Sequence, residues 1–409
     1  QMKIAIEGCC HGELDKIYAT LTYAEKKNNI KIDLLICCGD FQAIRSLSDL
    51  KSTNIKKKYL NSKSKEDIGG GDFRDYYLGK KKAPILTIFI GGNHEASNHL
   101  LGLYYGGWVA PNIYYLGHSG VIKFNGITIG GISGIYKHYH YENGYFERFP
   151  LNDSDIRSTY HVRKFEIQKL KLYQQLFEEE EKEDKVDIML SHEWPCGITK
   201  YGNENKLMEQ KKHFRQDIET TGLGAEPFME LLKEIQPKYW FSSHLHCKFA
   251  AEMVHHDKHS TKFLALDKCL PHRQFLQILD IPTTANDTHL QYDPKWLAIV
   301  LLTHESLSFD RYSVVPQKTT EELKEALNQI LLTFETNPEH LKIPDCDIKD
   351  NLELAAETNP SFVLNPQTQQ FLSTLKLKDD LFNQLSKPPS SKTSQKPQLS
   401  NPDEIPLDF

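Results

Sequence analysis

The sequence predicts an α/β fold in which several buried strands deliver polar residues to one place. Three observations carry the prediction. Ile85–Ile90 (ILTIFI) is an uncharged run of apolar and β-branched residues, the composition of a strand covered on both faces. Such runs alternate with segments of helical period, first at Leu14–Lys27, where Leu14, Ile17, Leu21 and Ala24 share a face. The runs also end alike, in glycine or serine followed by histidine, asparagine or aspartate. Ligands of open α/β sheets gather at such carboxyl ends.

In chain order, Lys3–Ile6 is a short strand with Glu7–Gly12 (EGCCHG) as its terminal loop. After the Leu14–Lys27 helix, the strand Leu34–Cys38 runs into Gly39-Asp40. Residues 51–82 turn polar, with a Lys/Ser-rich patch and three glycines at 69–71, the composition of a flexible insertion. Strand Ile85–Ile90 leads to Gly91-Gly92-Asn93-His94-Glu95, where glycines let the backbone turn sharply. Short strands follow from Ile113 to Gly131, with Asn125-Gly126 as a hairpin turn.

From Ile132 to Phe165 no period fits, which predicts a long functional loop or a disordered one. Tyr136, Tyr139, Tyr141, Tyr145 and Tyr160 are interleaved there with Lys137, His138, His140, Arg148, His161 and Arg163. Aromatic rings among cations suit RNA, whose unstacked bases lie on rings while cations hold phosphates. The same composition suits a loop packed by its own tyrosines, and Glu142, Glu147, Asp153 and Asp155 nearly cancel its charge.

His161–Glu183 reads as a helix ending in a solvated glutamate run. Strand Val186–Leu190 ends at Ser191-His192, helix Phe228–Ile235 follows, and strand Tyr239–Phe241 runs into Ser242-Ser243-His244-Leu245-His246. Further strands fall at Phe249–Val254, Phe263–Leu266 and Gln274–Ile281. Helix Thr320–Phe334 and segments around Trp296 and Leu352 form a smaller carboxyl-terminal region, and the Pro/Ser/Lys/Gln composition after Lys387 predicts disorder.

Composition narrows the function. A net charge of −6 gives no global attraction to nucleic acid, so any such binding uses a local patch. Eight cysteines in 409 residues, two pairs of them adjacent within strand-like runs, predict free thiols in a reducing compartment. No signal peptide is expected before Lys3, and no apolar run is long enough to span a membrane.

The strand ends together supply Cys9, His11, Asp40, Asn93, His94, His192, His244 and His246. The spacings Cys9-x-His11 and His244-x-His246 put both members on one side of an extended backbone, with Cys10 and Leu245 turned into packing. One carboxylate, several imidazoles, an amide and a thiolate make a two-metal site with Asp40 able to bridge. Two such ions would clamp a phosphate.

The order Gly39-Asp40, Gly92-Asn93-His94-Glu95, His192, His244-x-His246 resembles the calcineurin-like metallophosphoesterase superfamily. Most members begin Asp-x-His, whereas this chain begins Cys9-x-His11. With that departure, GCCHG, GDFQAIR (39–45), GGNHEASNHL (91–100), GGWVAPNIYYLG (106–117), TYHVR (159–163), YWFSSHLH (239–246) and TKFLALDKCLPHR (261–273) resemble the RNA lariat debranching enzymes. Two features depart from that family, the insertion near 62–71 and Glu193, where an aspartate is usual.

The resemblance implies a four-layer sandwich of two mixed β-sheets flanked by helices over residues 2–281. A small carboxyl-terminal domain over 282–386 and the tail 387–409 complete the chain. It implies hydrolysis of the 2′-5′ phosphodiester at the branch of intron lariat RNA. Cys9, His11, Asp40 and His246 would hold one metal, and Asp40, Asn93, His192 and His244 the other, with His94 as proton donor. The metals expected are Fe²⁺, Zn²⁺ or Mn²⁺, one or two per site, with the Cys9 thiolate favouring the softer ions. The loop 132–163 would recognise RNA through Tyr136, Lys137, Tyr141, Tyr160, His161 and Arg163. A monomer without membrane contact, in the nucleus and secondarily in the cytoplasm, completes the expectation. A phosphatase or cyclic-nucleotide phosphodiesterase would use the same metals without the aromatic loop, and a non-catalytic scaffold would show an eroded ligand set.

Overall fold

A computed structural model describes residues 1–55, 71–177, 186–335 (except 284 and 286), 338–346 and 362–386. The expected insertion near 62–71, the glutamate run after 177, the segment around Leu352 and the tail from 387 fall wholly or mostly outside these residues. Among the described residues the strands form two sheets. The first contains β12 (Leu276–Ile281), β1 (Met2–Glu7), β2 (Leu34–Cys37), β3 (Thr87–Phe89), β5 (Ile113–Tyr115) and β4 (Gly107–Ala110), in that spatial order. The second runs β10 (Phe249–Val254), β11 (Ser260–Ala265), β9 (Tyr239–Ser242), β8 (Ile188–Ser191), β7 (Ile127–Ile132), β6 (Ser119–Phe124) and β13 (Leu290–Tyr292).

The central strands are parallel: β1, β2, β3 and β5 in one sheet, β7, β8, β9 and β11 in the other. Their carboxyl ends therefore fall together, which is how separate motifs reach one site. The sheets face each other across a shared core of Ile4, Ile6, Ile36, Ile88 and Ile90 from one side and Ile129, Ile188, Leu190 and Phe241 from the other. Helix Leu14–Asn28 covers the far side of the first sheet through Leu14, Ile17, Tyr18 and Leu21. Helices Lys164–Gln175 and Glu226–Ile235 cover the far side of the second. The result is the expected four layers. The β6–β7 hairpin turns at Asn125 (φ 51°) and Gly126 (φ 75°), the two left-handed residues that a tight hairpin requires.

Two expectations need correction. The helix expected from His161 begins at Lys164, because His161 instead bridges to Ile135. The stretch 132–163 is not structureless: it carries short helices at His138–Tyr141 and Asp153–Ser158 and a packed interior. That interior rests on buried charge that periodicity could not reveal. Glu166 and Lys169 pair at 2.7 Å inside the core, and Glu166 also accepts from Ser119 Oγ (2.5 Å), Tyr145 Oη (3.0 Å) and Tyr104 Oη. Arg163, fully buried, donates to Glu147 Oε1 at 2.7 Å and to the carbonyls of His140 and Ser158. A buried charge is tolerated when paired and hydrogen-bonded in this way, and removing one partner is strongly destabilising.

The carboxyl-terminal region is stitched to the two sheets. β13 extends the second sheet beside β6, and the segment around Trp296 is the helix Pro294–Thr303, capped by Asp293. Gln367 spans Trp108 on β4, accepting from its N–H and donating to its carbonyl, both at 2.8 Å. No helix among the described residues is long and apolar enough to cross a membrane. Cys9, Cys10, Cys37, Cys38, Cys196, Cys247 and Cys269 are free thiols.

Candidate metal centre

The polar residues at the strand ends converge. Cys9 and His11 follow β1, Asp40 follows β2, Asn93 and His94 follow β3, His192 follows β8, and His244 and His246 follow β9. The reason for their convergence differs from the one the spacing suggested. His11, Asp40, Gln42, His244 and His246 all have left-handed backbone, with φ between 46° and 63°. They sit in tight turns rather than on extended strands. Such conformations are costly for residues with side chains, and they persist where surrounding structure over-determines them. Here His11 N donates to Asp40 O at 2.6 Å, tying the first two loops together. Cys10 and Leu245 do pack into the cores on either side, as expected.

Asp40 is the hinge of the arrangement. Its Oδ2 lies 3.6 Å from His11 Nε2, and its Oδ1 lies 3.3 Å from His192 Nε2. On the Oδ2 side, Cys9, His11, Asp40 and His246 offer four ligand atoms all within 4.8 Å of one another. That span suits one divalent ion with bonds of about 2.0–2.3 Å. On the Oδ1 side, His192 Nε2 also faces Asn93 Oδ1 at 3.2 Å, and the His244 ring lies 4.9 Å from the His192 ring. His192 Nδ1 is committed to Cys38 O at 2.8 Å, with Ser243 Oγ at 3.0 Å, so Nε2 is the nitrogen that could face a metal.

The donor set fits divalent metals. Lone-pair atoms that crowd together repel unless a cation lies among them. Burial pushes His11 down to about 4 and His246 to about 3, and it holds His244 well below the usual range, so these imidazoles present free lone pairs. Burial, reinforced by Asp40, raises the Cys9 thiol, so metal binding there would release its proton. Burial alone would raise Asp40, yet His192, His94 and His11 hold it well below the usual carboxylate range. Burial opposes charge on His192, but Asp40 outweighs it and raises that imidazole.

His94 sits beside the two donor groups. Its N–H donates to Asp40 Oδ1 at 2.9 Å, and its Nδ1 is held by Asn54 O at 2.6 Å. Its ring lies 5.8 Å from that of His11. Glu95, next along, accepts from the N–H groups of Phe41, Gln42 and Gly92 and so locks the Asp40 and Asn93 loops to each other. Lys268, on the segment bridged to Cys9, adds positive charge felt at His11 and His246. Neither Glu95 nor Lys268 was singled out by sequence reasoning, although both lie within quoted motifs.

The loop 132–163 packs against this centre. Gly134 N donates to Gly91 O at 2.9 Å, and Tyr136 N donates to Glu193 Oε2 at 2.7 Å, beside ligand His192. Glu193, which departs from the family's usual aspartate, thus anchors the loop. Of the residues expected to meet RNA, Tyr136, Lys137 and Tyr141 are half-buried at the surface. Tyr160, His161 and Arg163 are buried: Tyr160 Oη accepts from Asn54 Nδ2, His161 bonds His140, and Arg163 bonds Glu147. Arg163 is therefore a brace inside the loop rather than a surface contact. Tyr139, half exposed, lies on the outer face.

Gly92 leaves no room for a side chain. A Cβ there would lie 2.2 Å from Asp40 Oδ1 and 2.7 Å from His192 Nε2. Gly92→Ala is expected to weaken metal binding by about 10–100-fold, the scale set by misplaced ligand supports. Metal titration with circular dichroism as a fold control checks this, and unchanged affinity would show that the turn can yield.

Comparison with known proteins agrees with the geometry. The calcineurin-like phosphoesterase family matches residues 2–248, and the lariat debranching enzyme carboxyl-terminal domain matches residues 258–380. The chain is 47% identical over 397 residues to lariat debranching enzyme A of Xenopus laevis, covering 92% of this chain and 71% of that one. It is 54% identical over 299 residues to the lariat debranching enzyme of Arabidopsis thaliana (73% and 68% covered). The Homo sapiens enzyme is 45% identical over 404 residues (92% and 70% covered). Two opposed donor groups sharing Asp40, on a sheet pair of this topology and with this similarity along the chain, place it in the lariat debranching enzyme family of calcineurin-like phosphoesterases.

Proposed function

We propose that this chain hydrolyses the 2′-5′ phosphodiester at the branch point of excised intron lariat RNA, giving linear RNA. The observation that carries the reading is Asp40 shared between two donor groups, with an aromatic and cationic loop tied directly to the ligand-bearing turns. Divalent metals bound there supply charge neutralisation at the phosphate and a nucleophile at neutral pH. The chain's own residues do the rest. Asp40, accepting from His94 N–H, keeps the two donor groups in register. Asn54 O holds the Nδ1–H of His94, so the doubly protonated imidazole carries its second proton on Nε2, passes that one to the departing 2′ oxygen and is left as the neutral Nδ1–H tautomer. Tyr136, Lys137, Tyr139 and Tyr141 form the face on which bases stack and phosphates rest. The loop's presence favours this reading over a phosphomonoesterase on the same metals.

A branched oligonucleotide tests both substrate and acid. The chain should release its 2′ arm while leaving linear 3′-5′ RNA and p-nitrophenyl phosphate nearly untouched. His94→Ala should slow that release by about two to four orders of magnitude, the scale of general acid catalysis, with both metals retained. Preference for the monoester would sink the substrate assignment, and loss of a metal in the variant would make His94 a ligand.

The metals follow from donor softness. A thiolate at Cys9 favours Zn²⁺ or Fe²⁺, while Mn²⁺ suits the oxygen and imidazole donors of the other group. Cys9→Asp should raise the rate with Mn²⁺ relative to Zn²⁺ or Fe²⁺, and an unchanged ranking would remove Cys9 from the ligand set. The same reading places the chain in the nucleus, where introns are excised. A fluorescent fusion confined to the cytoplasm would contradict it.

A further inference from the structure

Asn54 lies outside the metal ligands and outside the recognition loop, yet it touches the working parts of both. Its place is set from behind. Arg45 and Asp49 form a buried two-pronged pair, Nε to Oδ2 at 2.8 Å and Nη2 to Oδ1 at 2.9 Å. Asp49 Oδ1 also accepts from Asn98 Nδ2 at 2.8 Å, which anchors the short helix Leu47–Lys51 to the segment after His94. The chain leaving that helix is held by Ser52 N to Ser48 O (3.2 Å) and Thr53 Oγ1 to Asp49 O (2.8 Å).

Asn54 then points two ways. Its backbone carbonyl takes His94 Nδ1 at 2.6 Å, and its side-chain amide donates to Tyr160 Oη at 3.0 Å. Tyr160 belongs to the 132–163 loop, and with Thr159 and His161 it walls a small cavity shared with Gly91, Gly92 and Glu95. Loop, Asn54 and imidazole thus form one continuous chain of contacts.

We infer that Asn54 is a positioning residue through which the recognition loop aims the His94 imidazole. The inference rests on the reading of His94 as proton donor and of the loop as the RNA contact. A side-chain bond to a buried phenol restrains the peptide whose carbonyl holds Nδ1. When that bond is lost, the carbonyl drifts and the imidazole with it. Misplacement of a reacting group by about 1 Å can cost about 100-fold in rate. The coupling favours substrates whose arms settle the loop, since the loop sets the aim of the acid.

The test compares Asn54→Ala, Tyr160→Phe and their double variant on two substrates, a branched oligonucleotide and bis(p-nitrophenyl) phosphate. The nitrophenolate leaving group needs no proton. For Asn54→Ala, kcat on branched RNA should fall about 10–100-fold with KM changed by less than about 3-fold, while turnover of the nitrophenyl ester falls far less. Tyr160→Phe, which removes one oxygen and keeps the ring, should act in the same direction. The double variant should be no worse than Asn54→Ala, because both remove one link. Equal losses on both substrates, additive losses, or no loss in either single variant would overturn the inference. A wild-type chain that turns over the nitrophenyl ester but not branched RNA would overturn the functional reading instead.

Discussion

The structure depends on one carboxylate serving two sides. Asp40 is almost wholly buried, and a buried anion without compensation is far too costly to keep. Each of its oxygens faces a different imidazole, and His94 N–H donates to one of them. This is the constraint that the neighbouring turns obey. Gly39 and Gly92 must be bare so that His192 and Asp40 can approach, and His11, His244 and His246 accept left-handed backbone to bring their rings in. Strain of about 1–3 kcal/mol at such a residue is held in place by the rest of the fold. The parallel strands that supply these turns are packed between two cores and cannot relax it.

The loop 132–163 is a second consequence of the same geometry. Its outer face carries tyrosines and a lysine, but its inner face is a set of buried ionic contacts. Arg163 with Glu147 braces it from within, and Tyr145 Oη, donating to Glu166, binds it to helix Lys164–Gln175, where Glu166 is paired with Lys169. Its ties to Glu193, Gly91 and Asn54 bind it to the ligand-bearing turns. The loop's aromatic surface and the two donor groups therefore sit on one connected support, the arrangement on which the proposed chemistry at a branched phosphodiester rests.

Much of this was legible in the sequence. The residues that converge could be read because each follows an apolar run, and apolar runs in a doubly covered sheet end at one edge. Helix Leu14–Asn28 and the Asn125-Gly126 hairpin carried strong local signals and formed as expected. What escaped reading had no local signal. The left-handed turns at His11, His244 and His246 are imposed by contacts between loops far apart in the chain, so an extended backbone was the natural but incorrect reading. Arg163 looked like a surface cation because the glutamate that buries it, Glu147, lies across the loop. Asn54 lies near the start of the polar stretch 51–82, and its role appears only where His94 and Tyr160 meet it in space.

Metal titration of Asp40→Asn tests the sharing of Asp40 most directly, with His246→Ala as the comparison. If Asp40 serves both donor groups, the apo wild-type chain takes up two equivalents, His246→Ala keeps one at wild-type affinity, and Asp40→Asn weakens both together. A variant lacking the Asp40 carboxylate that still bound one equivalent as tightly as wild type would show that the carboxylate belongs to a single site, and the shared centre described here would be wrong.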